Sequence, residues 1–443
     1  MKKIRIGVLG GYRGSSMINY CKRADNAEVV AICDKDPEVL QAQLKNAEGL
    51  NITFYDNFED FIKHDMDAVV LANYANEHAP FAIRAMKLGF HVFSEVLPVQ
   101  TMKEAVELIE AVEETGKIYA YGENYCYMPA PYEMTRLYRQ GEIGEFEYGE
   151  CEYIHNCESI WPSISYGDPD HWRNNMYSTF YCTHSLGPII HMTGLRPVSV
   201  VGFEGTMNER RLRTGSKGGQ YGLEIVTLEN GGIIKSIHGD LYRNSVWYSA
   251  YGSKGRMECG REDAKNGPKD GHIYKIYVNS DENSGDYAKD RLRSYEPKID
   301  DGRDLTGFGH GGSDFYSMYH FVEKIKGNPE ADIIDVYEAV DMFLPGILGY
   351  RSILKGSVPV EIPNLRDKAE RDAWRNDVAC TDPKVAGDQL LPTFSKGTPD
   401  IPQGVYDHMK ELWDAECKNE NSSYRKTAFN QGSKKKIVDE NIK

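Results

Sequence analysis

Two pairs of tyrosine and histidine residues could exchange protons with a substrate near neutral pH. Tyr153 and His155 lie two positions apart in EYIHN, and Tyr181 and His184 lie three apart in YCTHSLGP. The ordinary pKa of histidine lies near neutrality, whereas tyrosine becomes a base only when neighbours lower its pKa. Alternate residues of a strand share a face, so we expect Tyr153 and His155 to reach one substrate. All four residues are predicted to be catalytic.

Several other residues are of types that bind sugars. Glu123 and Tyr127 lie in ENYCY, directly after a predicted strand, where an α/β sheet usually places ligands. His310, in GHGGSD, either binds substrate or orders the start of a helix. Trp161 and Trp172 lie in a loop-rich insert, where their rings either stack on a sugar or pack the loop. We expect Glu123, Tyr127, His310 and Trp172 to bind substrate.

A glycine-containing loop joins the first strand, KIRIGVLG, to a helix that starts near Ser15. Glycines at this position let the backbone approach a pyrophosphate, which the helix N-terminus then attracts. The loop departs from the usual G-x-G-x-x-G pattern, because Leu9 stands where the first glycine is expected. The cofactor-binding residues predicted from this loop are Gly10, Gly11, Tyr12, Arg13 and Gly14.

The second strand ends at Asp34, at the distance from the glycine loop where dinucleotide-binding proteins carry a ribose-binding acid. A carboxylate here accepts hydrogen bonds from both ribose hydroxyls and repels a 2′-phosphate. Asp36 adds to that repulsion, and Lys35 partly offsets it. The sequence therefore favours NAD over NADP, although Asp34 could instead only cap the following helix.

Apolar runs alternate with amphipathic segments over residues 1–122, which predicts a doubly wound parallel sheet, the Rossmann architecture. Beyond this point, strands separated by Gly and Asn turns predict an α+β domain with a mainly antiparallel sheet over residues 123–360. Helices near 312–326 and 335–355 are expected to pack on that sheet. Residues 361–443 form a loop-rich C-terminal extension whose last residues are expected to fray. The predicted fold class is thus α/β.

Charge and cysteine usage narrow the class of protein. The net charge of −15 disfavours nucleic acid and anionic membranes as partners. No apolar stretch is long enough to span a membrane, and MKKIRIGVLG leaves no room for a signal peptide, so we expect a cytoplasmic protein. Cys151, His155 and Cys157 lack a fourth ligand, so no metal is predicted. An open sheet face predicts a homo-oligomer, either a dimer or a tetramer.

These segments together resemble the Gfo/Idh/MocA oxidoreductases over roughly residues 3–355. The resemblance rests on the Rossmann half, the ANYANEH loop, the strand-end carboxylate Glu95 and the segments YGSKGRME and GHGGSDFY. It implies that further residues bind the cofactor. In most family members Glu-Lys-Pro stands at the strand end, and the lysine handles the proton that accompanies hydride transfer. This chain has Val96 in place of that lysine. The cofactor-binding residues implied by the resemblance are Asn73, Asn76, His78, Glu95 and Asn124.

Within this family the chain is most similar to the NAD-dependent glycosidases of glycoside hydrolase family 109. They carry Glu-Val-Pro, Glu-Asn-x-Cys-Tyr, Tyr-x-His and Tyr-Pro-Thr-His-Gly-Leu-Gly-Pro in the same order. This chain has SEVLP, ENYCY, Tyr153 with His155, and YCTHSLGP. It departs from them at Leu97, Cys182 and Ser185.

The resemblance implies hydrolysis without paired catalytic carboxylates. Tightly held NAD would oxidise carbon-3 of a sugar to a ketone, which acidifies the carbon-2 proton. Loss of that proton would expel the carbon-1 group, water would add, and the ketone would be reduced again. His184 is the first candidate for the proton linked to hydride transfer, and Tyr153 for the carbon-2 proton. Two alternatives remain open: a net NAD-dependent sugar or cyclitol dehydrogenase, and an NAD-bound ligand-sensing protein.

Overall fold

The computed structural model describes residues 2–47, 49–261, 275–280, 291–297, 303, 305, 308 and 310–419. None of the helices in this part of the chain is long and apolar enough to cross a membrane. The polar tail from residue 420 onward, for which fraying is predicted, lies outside the described residues, as does Gly309 of the GHGGSDFY segment.

A six-stranded parallel sheet forms the first domain. Its elements are β1 (Ile4–Leu9), α1 (Ser15–Arg23), β2 (Ala27–Cys33), α2 (Pro37–Asn46), β3 (Thr53–Tyr55), α3 (Phe58–Phe61), β4 (Ala68–Leu71), α4 (His78–Lys87), β5 (His91–Ser94), α5 (Met102–Thr115) and β6 (Tyr119–Tyr121). The strand order is β3-β2-β1-β4-β5-β6, and every pairing is parallel. The predicted Rossmann sheet is confirmed. Strand β3 was not predicted.

Local signals in the sequence fix where these helices begin and end. The side chain of Asp36 accepts a hydrogen bond from the backbone N–H of Glu38, and Pro37 occupies the first turn of α2. The Thr101 hydroxyl accepts from the N–H of Glu104 at the start of α5. These caps hold the strand-to-helix loops, which carry the polar residues of the first domain.

A nine-stranded sheet forms the core of the second domain. Its strands are β7 (Phe146–Ile154), β8 (Pro197–Glu204), β9 (Tyr221–Leu228), β10 (Ile233–Gly239), β11 (Ser245–Gly252), β12 (Gly255–Cys259), β13 (Ile276–Ser280), β14 (Arg291–Tyr295) and β15 (Val360–Glu361). The order is β14-β13-β12-β11-β7-β10-β9-β8-β15, and among these strands only β7 and β10 pair in parallel. The mainly antiparallel sheet, and with it the α/β fold class, is confirmed.

The remaining helices cover this sheet or join the two domains. They are α6 (Pro129–Arg139), α7 (Trp161–Ser165), α8 (Thr183–Thr193), α9 (Glu209–Thr214), α10 (Ser313–Ile325), α11 (Val336–Leu354), α12 (Lys368–Asp372), α13 (Pro383–Ala386) and α14 (Gln403–Lys418). As predicted, α11 packs on the antiparallel sheet, where a side chain at Gly202 would meet the backbone of Gly349.

The prediction for α10 was wrong. This helix packs on the parallel sheet instead, with the ring of Phe321 5.7 Å from that of Phe93 and the ring of Phe315 5.1 Å from that of Tyr20. Met318, Phe321 and Val322 of α10 belong to the same core cluster as Ile6 and Val8 of β1. The chain therefore returns to the first domain after β14 and before the edge strand β15, because the parallel sheet still has an apolar face to cover.

Candidate active site

A cavity of about 1130 Å³ lies between the carboxyl ends of the parallel strands and the second domain. Its walls include residues that follow β1, β2, β4 and β5, together with residues of β7, β10 and α8. Ligands of open α/β sheets bind at this edge. Pockets for single drug-sized ligands measure about 300–1,000 Å³, so the volume suits a dinucleotide with a smaller second ligand.

The glycine loop closes against the strand beside it. Gly10 has φ +93°, and a Cβ atom there would lie 2.4 Å from the backbone carbonyl of Ala72. Any larger residue would therefore push the loop away from the sheet. Gly10, Tyr12 and Arg13 line the cavity, whereas Gly11 and Gly14 shape the loop behind them. This is the backbone cradle that the sequence predicts for a pyrophosphate.

Asp34 stands at the end of β2 and lines the cavity. Its carboxylate accepts hydrogen bonds from the N–H of Gly11 at 2.7 Å and of Asp36 at 2.9 Å. Burial raises its pKa, and these two hydrogen bonds oppose the rise. The ammonium of Lys35 lies 3.9 Å from the centre of the Tyr74 ring, so it is held by that ring. The negative carboxylate therefore faces the position expected for a ribose.

Three asparagine side chains near the cavity have buried amide oxygens that accept no hydrogen bond from any described residue: Asn73, Asn76 and Asn124. Buried acceptors almost always have a donor. Asn73 and Asn124 line the cavity and Asn76 does not. The hydroxyl and carboxamide groups of NAD are donors of the required kind, so the residues present fit the cofactor.

His78 does not reach the cavity, although the sequence suggests that it binds the cofactor. Its ring is 1% exposed, with Nδ1 2.9 Å from the carbonyl oxygen of Leu97 and Nε2 3.3 Å from that of Asn73. Burial lowers its pKa to about 4, so the ring is neutral near pH 7. His78 ties together the two loops that follow β4 and β5, and contributes to the site through them.

A charge network joins the glycine loop to both domains. Arg13 Nη2 lies 2.7 Å from a carboxylate oxygen of Glu95, and its guanidinium donates to both oxygens of Asp314 at 3.1 and 3.2 Å. Asn124 Nδ2 donates to Asp314 at 3.1 Å, and His310 Nδ1 donates to it at 3.3 Å. Burial raises the pKa of Glu95 while Arg13 opposes the rise. The predicted strand-end carboxylate is thus held at the cavity wall by a neighbouring cation.

His184, at the start of α8, forms a dyad with Glu123. Its Nδ1 lies 2.6 Å from one oxygen of Glu123, and the Thr183 hydroxyl donates to the other at 2.7 Å. Glu123 is fully buried and does not line the cavity, whereas His184 does. This position does not support the predicted contact between Glu123 and substrate. The carboxylate instead orients the imidazole and leaves Nε2 for a ligand.

Tyr153 and His155 share one face of the sheet, as their spacing predicts. The Tyr153 hydroxyl lies 3.3 Å from His155 Nδ1, and the Tyr153 ring lies 4.6 Å from that of His184. Burial raises the pKa of Tyr153 well above its ordinary value, and burial lowers the pKa of His155. Tyr153 therefore carries its proton near pH 7, next to a neutral imidazole that can accept it.

The remaining predicted residues, the catalytic candidate Tyr181 and three substrate-binding candidates, divide into two groups. Tyr181, Trp172 and His310 line the cavity, and the ring of Tyr181 lies 5.1 Å from that of His184. Tyr127 does not line it: the side chain is buried, and its hydroxyl donates to the carbonyl oxygen of Asp332 at 2.8 Å. Tyr127 packs the helices behind the site. Tyr125, two residues earlier, points to the opposite side, where its ring lies near that of His184.

Sequence reasoning missed three residues of the site. The Tyr125 ring lies 4.7 Å from that of His184 and 5.2 Å from that of Tyr153, so it packs the two candidates together. Asp314 anchors Arg13 and Asn124 from the second half of the chain. The Arg173 guanidinium lies 4.4 Å from the Trp172 ring and lines the cavity. The only available signal was their closeness in sequence to His310, Trp172 and the ENYCY segment.

Comparisons with known proteins give matches in both domains. Residues 4–123 match the model of the oxidoreductase family with an NAD-binding Rossmann fold, and residues 273–374 match the C-terminal domain of glycosyl hydrolase 109. A glycosyl hydrolase family 109 protein of Solibacter usitatus is 28% identical over 82% of this chain and 88% of its own. An alpha-N-acetylgalactosaminidase of Shewanella oneidensis is 24% identical over 85% of this chain and 87% of its own.

Among solved structures, the fold is similar to that of myo-inositol 2-dehydrogenase from Lactobacillus plantarum. The TM-score is 0.62 at 19% identity, covering 82% of this chain and all of the other. The fold and the match to the NAD-binding family define an NAD-dependent enzyme in which a Rossmann domain faces a second domain built on an open sheet. The first domain thus matches the Gfo/Idh/MocA oxidoreductase family, and over most of its length the chain is similar to proteins of glycosyl hydrolase family 109.

Proposed function

We propose that this protein hydrolyses a glycoside by transient oxidation of the sugar, with the hydride returned before the product leaves. One observation carries the proposal. Two proton-transfer pairs, Glu123 with His184 and Tyr153 with His155, meet on one wall, while the strand end next to Glu95 presents the apolar Val96. A net dehydrogenase needs one such pair. Elimination at the neighbouring carbon needs a second.

The residues that would hold NAD line the cavity: Gly10 of the glycine loop, Asp34 and Asn73 of the first domain, and Asn124 just beyond it. When bound, NAD accepts a hydride from one sugar carbon and returns it to that carbon at the end of the cycle. Glu95, held by Arg13, lies on the same wall, and we assign it to orient the cofactor. Val96 adds no cation beside it, so proton transfer passes to the second domain.

His184 is positioned to take the proton of the hydroxyl group that is oxidised. Its Nδ1–H donates to Glu123, which leaves Nε2 as the acceptor for a substrate proton. The imidazolium that forms is stabilised by a buried carboxylate at 2.6 Å. His184 later returns the proton when the ketone is reduced again.

Tyr153 is positioned to remove the proton of the adjacent carbon. Because its hydroxyl is protonated, it acts as a base only when it passes its own proton to His155 in the same step. The electron pair of the broken C–H bond forms an enolate, whose collapse expels the group at carbon-1. Water then adds at carbon-1 and gives one proton to the departing alkoxide. Tyr153 returns a proton to carbon-2, and His155 returns its proton to Tyr153. The net reaction is glycoside plus water to sugar plus alcohol.

Hydrolysis of nitrophenyl glycosides in deuterium oxide tests the proposal. The panel includes the α-N-acetylgalactosaminide, because one relative carries that activity in its name. We expect nitrophenol release with deuterium at carbon-2 of the free sugar and no accumulation of NADH absorbance. Cleavage that leaves carbon-2 free of deuterium would contradict the elimination step.

A net NAD-dependent sugar dehydrogenase is the second candidate. The Glu123–His184 dyad favours it, because a single general base next to the cofactor is enough for oxidation of an alcohol. This enzyme would build up NADH in proportion to substrate and would leave carbon-2 unlabelled. Absorbance and deuterium content, measured on one sample, therefore separate the two candidates.

We further propose that the protein works in the cytoplasm as a homo-oligomer. All nine cysteines are free thiols, which supports a reducing compartment. Helices cover one face of the nine-stranded sheet, and Tyr251 and Phe203 of its strands are 41% and 43% exposed, which supports association through the sheet. Sedimentation of the purified protein would show a dimer or tetramer, and a monomer would contradict the assembly.

A further inference from the structure

The C-terminal helix α14 reaches the cavity, although it lies beyond the region that matches the glycosyl hydrolase 109 domain. Trp413, in the last turns of α14, lines the cavity wall together with Tyr166 of the insert, and their rings lie 5.3 Å apart. Trp413 is more than 280 residues away in sequence from the last strand of the parallel sheet. The structure alone brings it to the cofactor side of the cavity.

Aromatic contacts continue from Trp413 to the first domain. Tyr166 meets His171 with ring centres 5.6 Å apart, and His171 meets Tyr74 at 5.0 Å. Tyr74 in turn holds the ammonium of Lys35, the residue after Asp34. We call Tyr74, His171, Tyr166 and Trp413 the aromatic row. It connects the first domain, the insert of the second domain and α14 along one wall of the cavity, and it begins next to the predicted ribose-binding carboxylate.

Helix α14 is firmly seated on the second domain. The Tyr406 hydroxyl donates to the carbonyl oxygen of Gly215 at 3.0 Å, and Tyr406 and Met409 are buried. Gly167, with φ +68°, lies so near the helix that a Cβ atom there would be 2.5 Å from the backbone nitrogen of Lys410. Such a close approach requires glycine. The position of Trp413 is therefore fixed by packing and does not depend on a bound ligand.

We propose that the aromatic row, closed by Trp413, retains NAD in the cavity through repeated turnovers. A ligand held by the first domain can leave along this wall only when members of the row separate. Retention suits an enzyme that returns the hydride to the same sugar, because that cycle never requires exchange of the cofactor. Trp413 is thus a positioning residue for the cofactor, and the inference rests on the NAD site used in the proposed function.

Release of the cofactor can be measured without any sugar. Full-length protein is loaded with NADH, passed through a desalting column and mixed with excess NAD, and loss of bound-NADH fluorescence gives the release rate. An aromatic contact stabilises by about 0.5–1.5 kcal/mol, so we expect Trp413→Ala to release NADH about two- to tenfold faster. Trp413→Phe, which keeps an aromatic ring, should stay close to the wild-type rate.

Leu412→Ala is the matched control, because Leu412 precedes Trp413 on α14, is 42% exposed and does not line the cavity. It should release NADH at the wild-type rate. Circular dichroism checks that Trp413→Ala is folded. The proposal is overturned if the folded variant retains NADH as long as the wild type does. Equal acceleration in Leu412→Ala would overturn it too, since that result would reflect general loosening of α14. Failure of the proposed hydrolysis would appear only in the deuterium experiment.

Discussion

At the scale of single residues, the structure changes the role of Glu123 more than that of any other candidate. The sequence places it after a strand, where a carboxylate can bind a hydroxyl group. The structure buries it completely and gives its two oxygens to His184 and Thr183. A buried carboxylate with both oxygens engaged acts through its partners, so Glu123 is a positioning residue for His184.

Replacing Glu123 by Gln tests this role. The amide cannot stabilise an imidazolium, and its NH₂ group can turn the imidazole so that Nε2 carries the proton. We expect kcat to fall by about 10²–10⁴-fold, the usual contribution of a general base, with little change in KM. The exposed Glu147→Gln on β7 is the control and should keep full activity. An unchanged kcat in Glu123→Gln would remove the dyad from the mechanism.

Tyr153→Phe separates the two proton transfers. The variant keeps the ring that packs on His184 but loses the hydroxyl that meets His155. We expect exchange of the carbon-2 proton with deuterium oxide to drop by about 10²–10⁴-fold. A single turnover should still reduce bound NAD to NADH, because His184 is intact. Tyr148→Phe, on the same strand and outside the cavity lining, serves as the control; exchange that survives in Tyr153→Phe would assign the base elsewhere.

At the scale of elements, α8 must be held firmly because it begins with the residues of the site. His191, near its other end, lies 2.5 Å from Glu338 of α11 through Nδ1 and 3.3 Å from Asp332 through Nε2. Burial opposes the charged form of the ring. The two carboxylates outweigh burial and raise the pKa of His191 to about 9. The charged imidazole thus fastens α8 to α11.

This contact predicts a loss of stability at alkaline pH. The folded pKa lies above the unfolded value of about 6.5, so the contribution is complete below pH 6.5 and disappears as pH rises through about 9. It amounts to about 3 kcal/mol in order of magnitude, at 1.36 kcal/mol for each pKa unit. Denaturant unfolding of wild type and His191→Gln should differ most at pH 6 and least near pH 10 (about one pH unit above the folded pKa).

His408 is exposed, so His408→Gln is the control for that series. Its free energy of unfolding should equal that of the wild type at every pH. A stability difference between wild type and His191→Gln that stays constant from acid to alkali would show that packing, and not charge, carries the contact. The same measurement reports on the site indirectly, because His184 lies at the start of the same helix.

At the scale of the whole molecule, the cavity is built by both domains and by the C-terminal extension. Residues that line it come from β-strand ends of the first domain, from the sheet and insert of the second, and from α14. A ligand that spans such a cavity binds the folded chain and not the unfolded one. It therefore stabilises the domains together.

We expect NAD at 100 times its Kd to raise the free energy of unfolding by about 2.7 kcal/mol. NADP at the same concentration should stabilise much less, because its 2′-phosphate would face the carboxylate of Asp34. Calorimetric unfolding with each dinucleotide measures both effects. Asp34→Ala should narrow the difference between the two cofactors, and equal stabilisation of the wild type by NADP would contradict the assignment of Asp34.

The sequence by itself determined the features that depend on neighbouring residues. Strand and helix periods gave both sheets, and the loop after β1 with Asp34 indicated NAD. The spacing of Tyr153 and His155 placed them on one face, because alternation along a strand is a local property. Because Val96 next to Glu95 cannot transfer a proton, the sequence also indicated that the proton-transfer residues lie in the second domain.

Only the tertiary structure decided the features that depend on contacts between distant segments. In the structure, Glu123 and Tyr127 are buried outside the cavity lining, and α10 packs on the parallel sheet. Asp314 pairs with Arg13, and the ring of Trp413 contacts that of Tyr166. Contacts between residues that lie hundreds of positions apart produce no periodic pattern in a single sequence. They follow from which apolar faces must be covered and which charges must be paired once all the elements have packed.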